Sequence, residues 1–169
     1  RELHKEIHLV VSGGDTEVDK LIIEELSDPL MHIIRNAIDH GVEDAEERQL
    51  AGKPEVGTVA LTAYQKGNHV LIEVEDDGAG IDGERILEIA VSRGLMTVEQ
   101  AETLSHREVL NLIFMPGVTT AGQATAISGR GVGMDVVKTN IAALGGVVEV
   151  QSELGIGTKF TITMPVTLA

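Results

Sequence analysis

The sequence contains no cysteine and no tryptophan, and only 2% of its 169 residues are aromatic. The absence of cysteine excludes a disulfide framework, a thiol nucleophile and a zinc site with cysteine ligands, and it fits a reducing compartment. With 43% hydrophobic residues, the chain is still long enough to bury a sizeable core. We therefore expect a single domain, residues 1–169, with one functional site.

Positive charge is also scarce: the sequence has 13 lysines and arginines but 27 aspartates and glutamates, which gives a net charge of -14. So acidic a chain has no general attraction for nucleic acid or an anionic membrane, and any bound anion needs locally placed positive groups. The sequence has no run apolar enough to span a bilayer and no signal-peptide pattern. We predict a cytoplasmic protein that binds no nucleic acid and does not insert into a membrane. Because Arg1 opens directly into patterned sequence, we also expect a fragment of a longer chain.

Alternating apolar residues predict five strands, at 7–11, 59–63, 70–74, 148–150 and 160–164. Glycine-bearing turns at 66–68 and 153–157 would join four of them into two hairpins. Helix starts are predicted where a capping residue or glycine precedes an apolar pattern, at Asp28-Pro29, Asp44, Asp82, Thr97, Ser105 and Gly133. Because strands and helices come in blocks, we expect a two-layer α/β sandwich: helices on one face of a mixed, mostly antiparallel sheet. Segment 116–129 has few large apolar residues and predicts a mobile loop.

The stretch HIIRNAIDHG, residues 32–41, combines two faces of different chemistry. At about 100° per residue of an α-helix, its apolar residues form one stripe. The polar residues share the opposite side, with the arginine at its edge: His32, Asn36, Asp39, His40 and Arg35. A solvated outer face is the ordinary alternative, but such faces usually carry Lys and Glu. An asparagine oxygen can ligate Mg²⁺, and arginine or histidine can pair with phosphate oxygens, which favours a metal and phosphate site.

The stretch EDDGAGID, residues 75–82, places carboxylates and then glycines directly after a strand. Such a turn opens the backbone to close approach by a ligand. A calcium loop beginning at Glu73 is an alternative, but Glu73 lies within the predicted strand and the flanking helices are missing. Asp76 is the best candidate to accept a hydrogen bond from an exocyclic amine such as that of adenine.

The stretch SGRGVGMDVVK, residues 128–138, leads three glycines into a helix. A helix N-terminus offers free N–H groups and a positive dipole end to a phosphate. The string lacks the ending of a Walker motif and the spacing of a dinucleotide fingerprint, so a flexible loop with a capped helix is the alternative. The combination of the three stretches, in this order, favours nucleotide binding.

Together with FMPGVTT and GIGTKFTITMPVTLA, these stretches resemble the successive N, G1, F, G2 and G3 boxes of the GHKL ATP-binding superfamily, which includes gyrase, heat-shock chaperone, histidine kinase and mismatch-repair proteins. More narrowly, the chain resembles the catalytic domain of a CheA-type chemotaxis histidine kinase. The resemblance covers essentially the whole chain and implies a Bergerat-type fold with a flexible ATP lid.

The resemblance also implies roles for individual residues. Asn36 would ligate Mg²⁺, His32 would assist transfer of the γ-phosphate, and Arg35 and His40 would contact phosphate oxygens. Asp76 would hold the adenine amine. The remaining implied ATP-binding residues would admit the base, wrap the triphosphate or close the base pocket: Gly78, Gly80, Ile81, Gly129, Arg130, Gly131, Gly133, Met134 and Thr158.

The implied reaction is transfer of the γ-phosphate of Mg-ATP to a histidine on a separate phosphotransfer domain of the same kinase. A chemoreceptor and a coupling protein would act through other domains, and a response regulator would act downstream. His106, in SHREVLN, is an alternative acceptor, but this string lacks the Thr-Pro of sensor-kinase acceptor boxes. The competing hypothesis is a nucleotide-gated interaction module without histidine kinase activity. Chaperone and gyrase relatives usually place Glu where this chain has His32, which favours the kinase.

Overall fold

The computed structural model describes residues 7–12, 20–118 and 133–166, with side chains from residue 24 onward. The strands within this part are β1 Ile7–Ser12, β2 Gly57–Lys66, β3 His69–Asp76, β4 Val147–Glu153 and β5 Gly157–Pro165. The helices are α1 Lys20–Asn36, α2 Ala45–Leu50, α3 Gly83–Ser92, α4 Val98–Glu102, α5 His106–Asn111 and α6 Met134–Ala143. A π-helical turn, Ala37–Gly41, extends α1, and a 3-10 turn, Leu112–Phe114, follows α5.

The five strands form one sheet in the order β1-β2-β3-β5-β4. The pairs β2-β3, β3-β5 and β5-β4 are antiparallel, whereas β1 pairs with β2 in parallel. Both predicted hairpins are present, so the prediction of a mixed, mostly antiparallel sheet is confirmed. None of the helices in the described ranges combines the length and the apolar composition needed to cross a membrane.

The core lies between the helices and one face of the sheet. Every second residue of β3 up to Val74 is buried, as the alternation of side chains in a strand requires. These residues join one cluster with apolar side chains from the helices, which include Ile33 of α1 and Ile141 of α6, both 0% exposed. The only two phenylalanines of the sequence meet edge to face, with the ring centroids of Phe114 and Phe160 6.2 Å apart. The two-layer α/β prediction is confirmed.

The predicted start of the first long helix is wrong, because α1 begins at Lys20 and runs through Pro29. Proline lacks the N–H that would bond to the carbonyl of Glu25 four residues earlier, but Glu25 is an exposed residue where water can replace that donor. The other predicted caps are confirmed. Complete capping boxes begin α2, α4 and α5, Asp82 accepts from two N–H groups of α3, and Gly133 precedes α6.

Candidate functional site

A row of polar residues crosses three strands at one end of the core. Asp76 of β3 is the register partner of Thr158 of β5, which is in turn the partner of Ser152 of β4. The next core-facing row consists of Val74, Phe160 and Val150. Asp76 and Thr158 are each only 7% exposed, so polar groups here interrupt an otherwise apolar face. A buried polar row at the end of a sheet is a feature that folding alone does not require.

The Asp76 carboxyl group is placed as an acceptor in a weakly solvated environment. Its Oδ1 accepts the backbone N–H of Gly78 over 2.8 Å. Burial raises the pKa of Asp76 to about 6, the neighbouring Asp77 charge adds to the increase, and hydrogen bonds from the backbones of Gly78 and Thr158 oppose it. A buried carboxyl group with a perturbed pKa is typical of a functional site.

The turn after β3 is held from both sides through Ala79. The N–H of Ala79 donates to the carbonyl of Gly41 over 2.8 Å, and the carbonyl of Ala79 accepts the N–H of Gly155 over 2.7 Å. The next anchor is the N–H of Ile81, which donates to Oγ of Ser152 over 2.8 Å. The three predicted boxes that contain these residues are therefore joined by direct hydrogen bonds around Asp76.

Gly78 and Gly80 are glycines because backbone lies against each of them. A Cβ on Gly78 would overlap the carbonyl oxygen of Gly41, and one on Gly80 would overlap the carbonyl oxygen of Glu153. Gly80 also has a φ of 79°, in the left-handed region that favours glycine. The predicted role of these glycines was to let a base approach, and their role in packing the turn could not be predicted from the sequence.

The end of the stretch 32–41 is wider than an α-helix. The N–H of Val42 donates to the carbonyl of Ala37, five residues earlier, over 2.8 Å, which is the hydrogen bond of a π-helical turn. The spacing of about 100° per residue therefore holds through Asn36 only. Asp39 and His40 lie in this wider turn, so their place on a common face with His32 and Asn36 stays a prediction. This turn carries the carbonyl of Gly41 to Ala79.

The polar residues of this stretch differ in their exposure. His32, Asn36 and Asp39 are partly buried, whereas Arg35 and His40 are exposed. Asn36 donates its side-chain N–H to Sδ of Met134 over 3.1 Å, which brings α1 and the first residue of α6 together. Met134 is only 3% exposed, and Gly133 immediately precedes it. The predicted residues Gly129, Arg130 and Gly131, and the predicted lid beyond Val118, lie outside the described residues.

The side chains present fit a magnesium ion that arrives with a nucleotide. Because Asn36 uses its amide N–H on Met134, its carbonyl oxygen remains as the group of that side chain able to ligate a cation. In the described ranges, no three His, Asp or Glu side chains are grouped so that they could hold a metal ion. Mg²⁺ commonly takes one or two protein ligands together with substrate phosphates, and a single asparagine oxygen fits that pattern.

A concavity of about 560 Å³ opens around the ends of the strands. It touches Asp76 and Thr158, but its lining also includes Ala60, Glu75 and Lys159. These three residues alternate with the core-facing residues of their strands, so their side chains belong to the sheet face away from the helices. Of the residues predicted from the sequence, Asp76 and Thr158 line this concavity, whereas His32, Asn36 and Met134 belong to helices α1 and α6.

Four charged residues beside this site were missed by the sequence analysis. Arg48, which is 0% exposed, forms ion pairs with Glu43 and Asp77, and Lys53 forms an ion pair with Glu43. A short helix with charged residues on all sides gave no signal that one arginine would be buried. Ser152 was also missed, because a serine in a strand has no distinguishing pattern.

Comparison with known proteins identifies relatives over the whole chain. Residues 25–168 match the model of the family described as histidine kinase-, DNA gyrase B- and HSP90-like ATPases. The chain is 52% identical to the sensor histidine kinase CheAY of Helicobacter pylori and 53% identical to the chemotaxis protein CheA of Bacillus subtilis. All of this chain is covered in both cases, but only 21% and 25% of the respective relatives. The chain thus spans about a fifth to a quarter of their length.

Solved structures show the same fold at lower sequence identity. The catalytic domain of the histidine kinase ThkA, in a nucleotide-free form, has a TM-score of 0.56 and 19% identity, covering 99% of this chain and 82% of that one. Full-length ShkA, solved in complex with AMPPNP, has a TM-score of 0.55 and 23% identity, covering 99% of this chain and 27% of that one.

Proposed function

The chain belongs to the family of histidine kinase-, DNA gyrase B- and HSP90-like ATPases as a CheA-type domain, and we propose that it uses Mg-ATP to phosphorylate a histidine on a separate phosphotransfer domain. Membership of this family implies that the domain binds ATP. The further steps are our proposal, and they rest chiefly on one observation: a buried carboxyl group, Asp76, at the centre of three hydrogen-bonded sequence boxes.

Asp76 is proposed to select adenine. A carboxylate oxygen accepts the exocyclic amine of adenine, whereas guanine would present a carbonyl oxygen there and leave two acceptors facing each other. Sites that are built to hydrogen-bond a substrate group reject analogues lacking it, because the buried partner is left unpaired. Thr158, the register partner of Asp76, and Ile81, whose N–H is held by Ser152, are proposed to complete the base pocket.

The phosphates are proposed to extend from Asp76 toward the contact between Asn36 and Met134. Asn36 would ligate Mg²⁺, which when bound would neutralise phosphate charge. Arg35 and His40, both exposed, would reach phosphate oxygens. Gly133 and the N-terminus of α6 would add N–H groups, and Gly129, Arg130 and Gly131 would wrap the chain of phosphates.

His32 is proposed to assist phosphoryl transfer. The bond between the γ-phosphorus and its bridging oxygen breaks, a bond from an acceptor imidazole nitrogen to phosphorus forms, and ADP leaves. Such a step depends mainly on positioning and on charge neutralisation. His32, on α1, is partly buried and lies one helical turn before Asn36, which suits a group that must approach the γ-phosphate.

The acceptor is proposed to lie outside this chain. His106, the alternative acceptor, lies in the first turn of α5, behind a complete capping box at Ser105. Its Nε2 is 3.2 Å from the carbonyl oxygen of Ser152, so one ring nitrogen already faces an internal partner. Since these relatives are between four and five times as long as this chain, they have room for a phosphotransfer domain and for modules that contact a chemoreceptor and a coupling protein, with a response regulator downstream.

The test is incubation of the chain with γ-labelled ATP and Mg²⁺, with and without an added phosphotransfer domain from a CheA relative. We expect label on the added domain and none on the chain alone. An isolated phosphotransfer domain in which the acceptor histidine is replaced by glutamine serves as the control. Label on the chain alone would contradict a separate acceptor. Rapid ATP hydrolysis without any label transfer would instead support the nucleotide-gated interaction module.

A further inference from the structure

Helix α2 buries a charged side chain and exposes an apolar one, the reverse of the usual arrangement. Leu50 is 87% exposed, whereas Arg48, two residues earlier, is 0% exposed. Burying a guanidinium group is costly unless it is fully paired, and exposing a leucine forgoes the stabilisation that its burial would provide. The helix therefore buries its arginine for a reason other than apolar packing.

Arg48 uses two of its four hydrogen bonds on Asp77, in the turn that follows Asp76. Its Nε donates to the carbonyl of Pro54 over 2.6 Å, and one terminal nitrogen donates to Glu43 over 3.1 Å and to the carbonyl of Asp77 over 3.2 Å. The other terminal nitrogen donates to Oδ2 of Asp77 over 2.9 Å. The guanidinium group thus binds both the main chain and the side chain of the residue directly after Asp76.

Lys53 binds the same turn one residue further on. Its Nζ donates to the carbonyl of Gly78 over 2.7 Å, to the carbonyl of Asp77 over 3.0 Å and to Oε2 of Glu43 over 2.7 Å. A lysine ammonium has three donors, and these three acceptors use all of them. Lys53 could therefore bind a phosphate only by giving up one of these partners.

Glu43 forms ion pairs with both Arg48 and Lys53. Together with Asp77, which pairs with Arg48, it balances the two positive charges. Burial acts to raise the pKa of Glu43, but the hydrogen bond from Lys53 and the two positive charges prevail and lower it. Glu43 follows the π-helical turn, so the network also links the end of the stretch 32–41 to the turn after β3. Gly78, whose carbonyl binds Lys53, donates its own N–H to Asp76.

We propose that Arg48 and Lys53 are positioning residues for base recognition: they fix the carbonyls of Asp77 and Gly78 and thereby hold the carboxyl group of Asp76 in place for adenine. The inference rests on the proposed role of Asp76 in nucleotide binding. It assigns the two cations to the base rather than to the phosphates, although lysine and arginine near a nucleotide site would ordinarily be assigned to phosphate.

The test compares the variant Lys53→Met with the wild-type chain for adenosine, inosine and AMPPNP, with dissociation constants measured by nuclear magnetic resonance titration. Adenosine has no phosphates, and inosine lacks the exocyclic amine. We expect the affinities for adenosine and AMPPNP to fall by the same factor, about 5- to 20-fold, and the preference for adenosine over inosine to shrink. Lys53→Arg should keep affinity and preference within about 3-fold of wild type, since it retains charge and donors.

Lys66→Met is the matched control, because Lys66 is exposed at the end of β2 and its loss changes the net charge equally. It should leave all three affinities unchanged. A loss for AMPPNP alone in Lys53→Met would identify Lys53 as a phosphate ligand and overturn the inference, as would unchanged binding of adenosine. Failure of the folded wild type to prefer adenosine over inosine would instead overturn the role of Asp76. Arg48→Lys keeps the charge but loses the planar fork whose two terminal nitrogens bind Asp77, so it should show the same parallel loss as Lys53→Met.

Discussion

Gly41 lies directly against the Asp76 carboxyl group: a Cβ added to Gly41 would be 3.1 Å from Oδ2 of Asp76. The two residues are 35 positions apart and belong to different sequence boxes, yet no side chain separates them. The end of the π-helical turn therefore forms part of the wall around the proposed adenine-binding group.

Gly41→Ala should weaken nucleotide binding by moving the Asp76 side chain. A methyl group at that distance requires the carboxyl group to shift by a few tenths of an ångström. We expect about a 3- to 10-fold loss of AMPPNP affinity, measured by calorimetry. In an Asp76→Asn background, whose affinity is already low, the same change should cost less, because the two residues act through one contact. Equal losses in both backgrounds would show that Gly41 acts independently of Asp76.

Nucleotide affinity should increase with pH around the pKa of Asp76, which is about 6. The ionised carboxylate is the better acceptor for the adenine amine, and this form becomes dominant as pH rises through 6. Adenosine is the appropriate ligand, because it carries no phosphates that titrate in this range. We expect its affinity to rise between pH 5 and 7.5 in the wild type and to stay flat in Asp76→Asn. A pH dependence that persists in the variant would assign it to another group.

The ionised form of Asp76 should destabilise the nucleotide-free chain at high pH. Its folded-state pKa of about 6 exceeds the ordinary value of 3.8, so the folded state binds the proton more tightly and its contribution to stability is lost as pH rises through 6. Asp76→Asn should therefore raise the free energy of unfolding at pH 8, by on the order of 1–3 kcal/mol at about 1.4 kcal/mol per pKa unit. Urea unfolding at pH 8 and pH 5 measures this, with a smaller gain expected at pH 5. A less stable variant at pH 8 would contradict the burial penalty.

Ser152 should contribute more to stability than its residue type suggests. Its Oγ accepts the N–H of Ile81 over 2.8 Å and donates to the carbonyl of Gly157 over 2.9 Å. Ser152→Ala leaves a partly buried N–H without this partner, which costs about 1–3 kcal/mol. Ser92→Ala removes an exposed hydroxyl at the end of α3 and should change the unfolding midpoint far less. Equal effects of the two substitutions would show that the two hydrogen bonds of Ser152 add nothing particular to the free energy of unfolding.

The sheet and most helix starts could be predicted because their signals are local. Alternating apolar residues identified the strands, and side-chain caps such as Thr97 and Ser105 identified helix starts. The parallel pairing of β1 with β2 had no such signal, since it depends on a long connection. Pro29 misled the prediction of α1 because the carbonyl that its missing N–H leaves without a donor belongs to Glu25, an exposed residue.

The sequence suggested candidate residues for a site, but it did not show how these residues are held together. Asp76 and Asn36 were chosen as candidates because their residue types suit base and metal binding. The π-helical turn was missed because such turns are rare and the apolar pattern was interpreted with the spacing of an α-helix. Arg48 and Lys53 were missed because their partners are mostly main-chain carbonyls, which carry no sequence information.

The most direct test of the account is a calorimetric titration of the chain with AMPPNP, with and without Mg²⁺, in the wild type and in Asp76→Asn. We predict that Mg²⁺ improves binding to the wild type and that binding falls by at least about 100-fold in the variant, equivalent to the roughly 3 kcal/mol lost when a buried hydrogen-bonding site is left mismatched. Equal affinity in both proteins, or no binding by a folded wild type, would contradict the assignment of Asp76 as the adenine-binding residue.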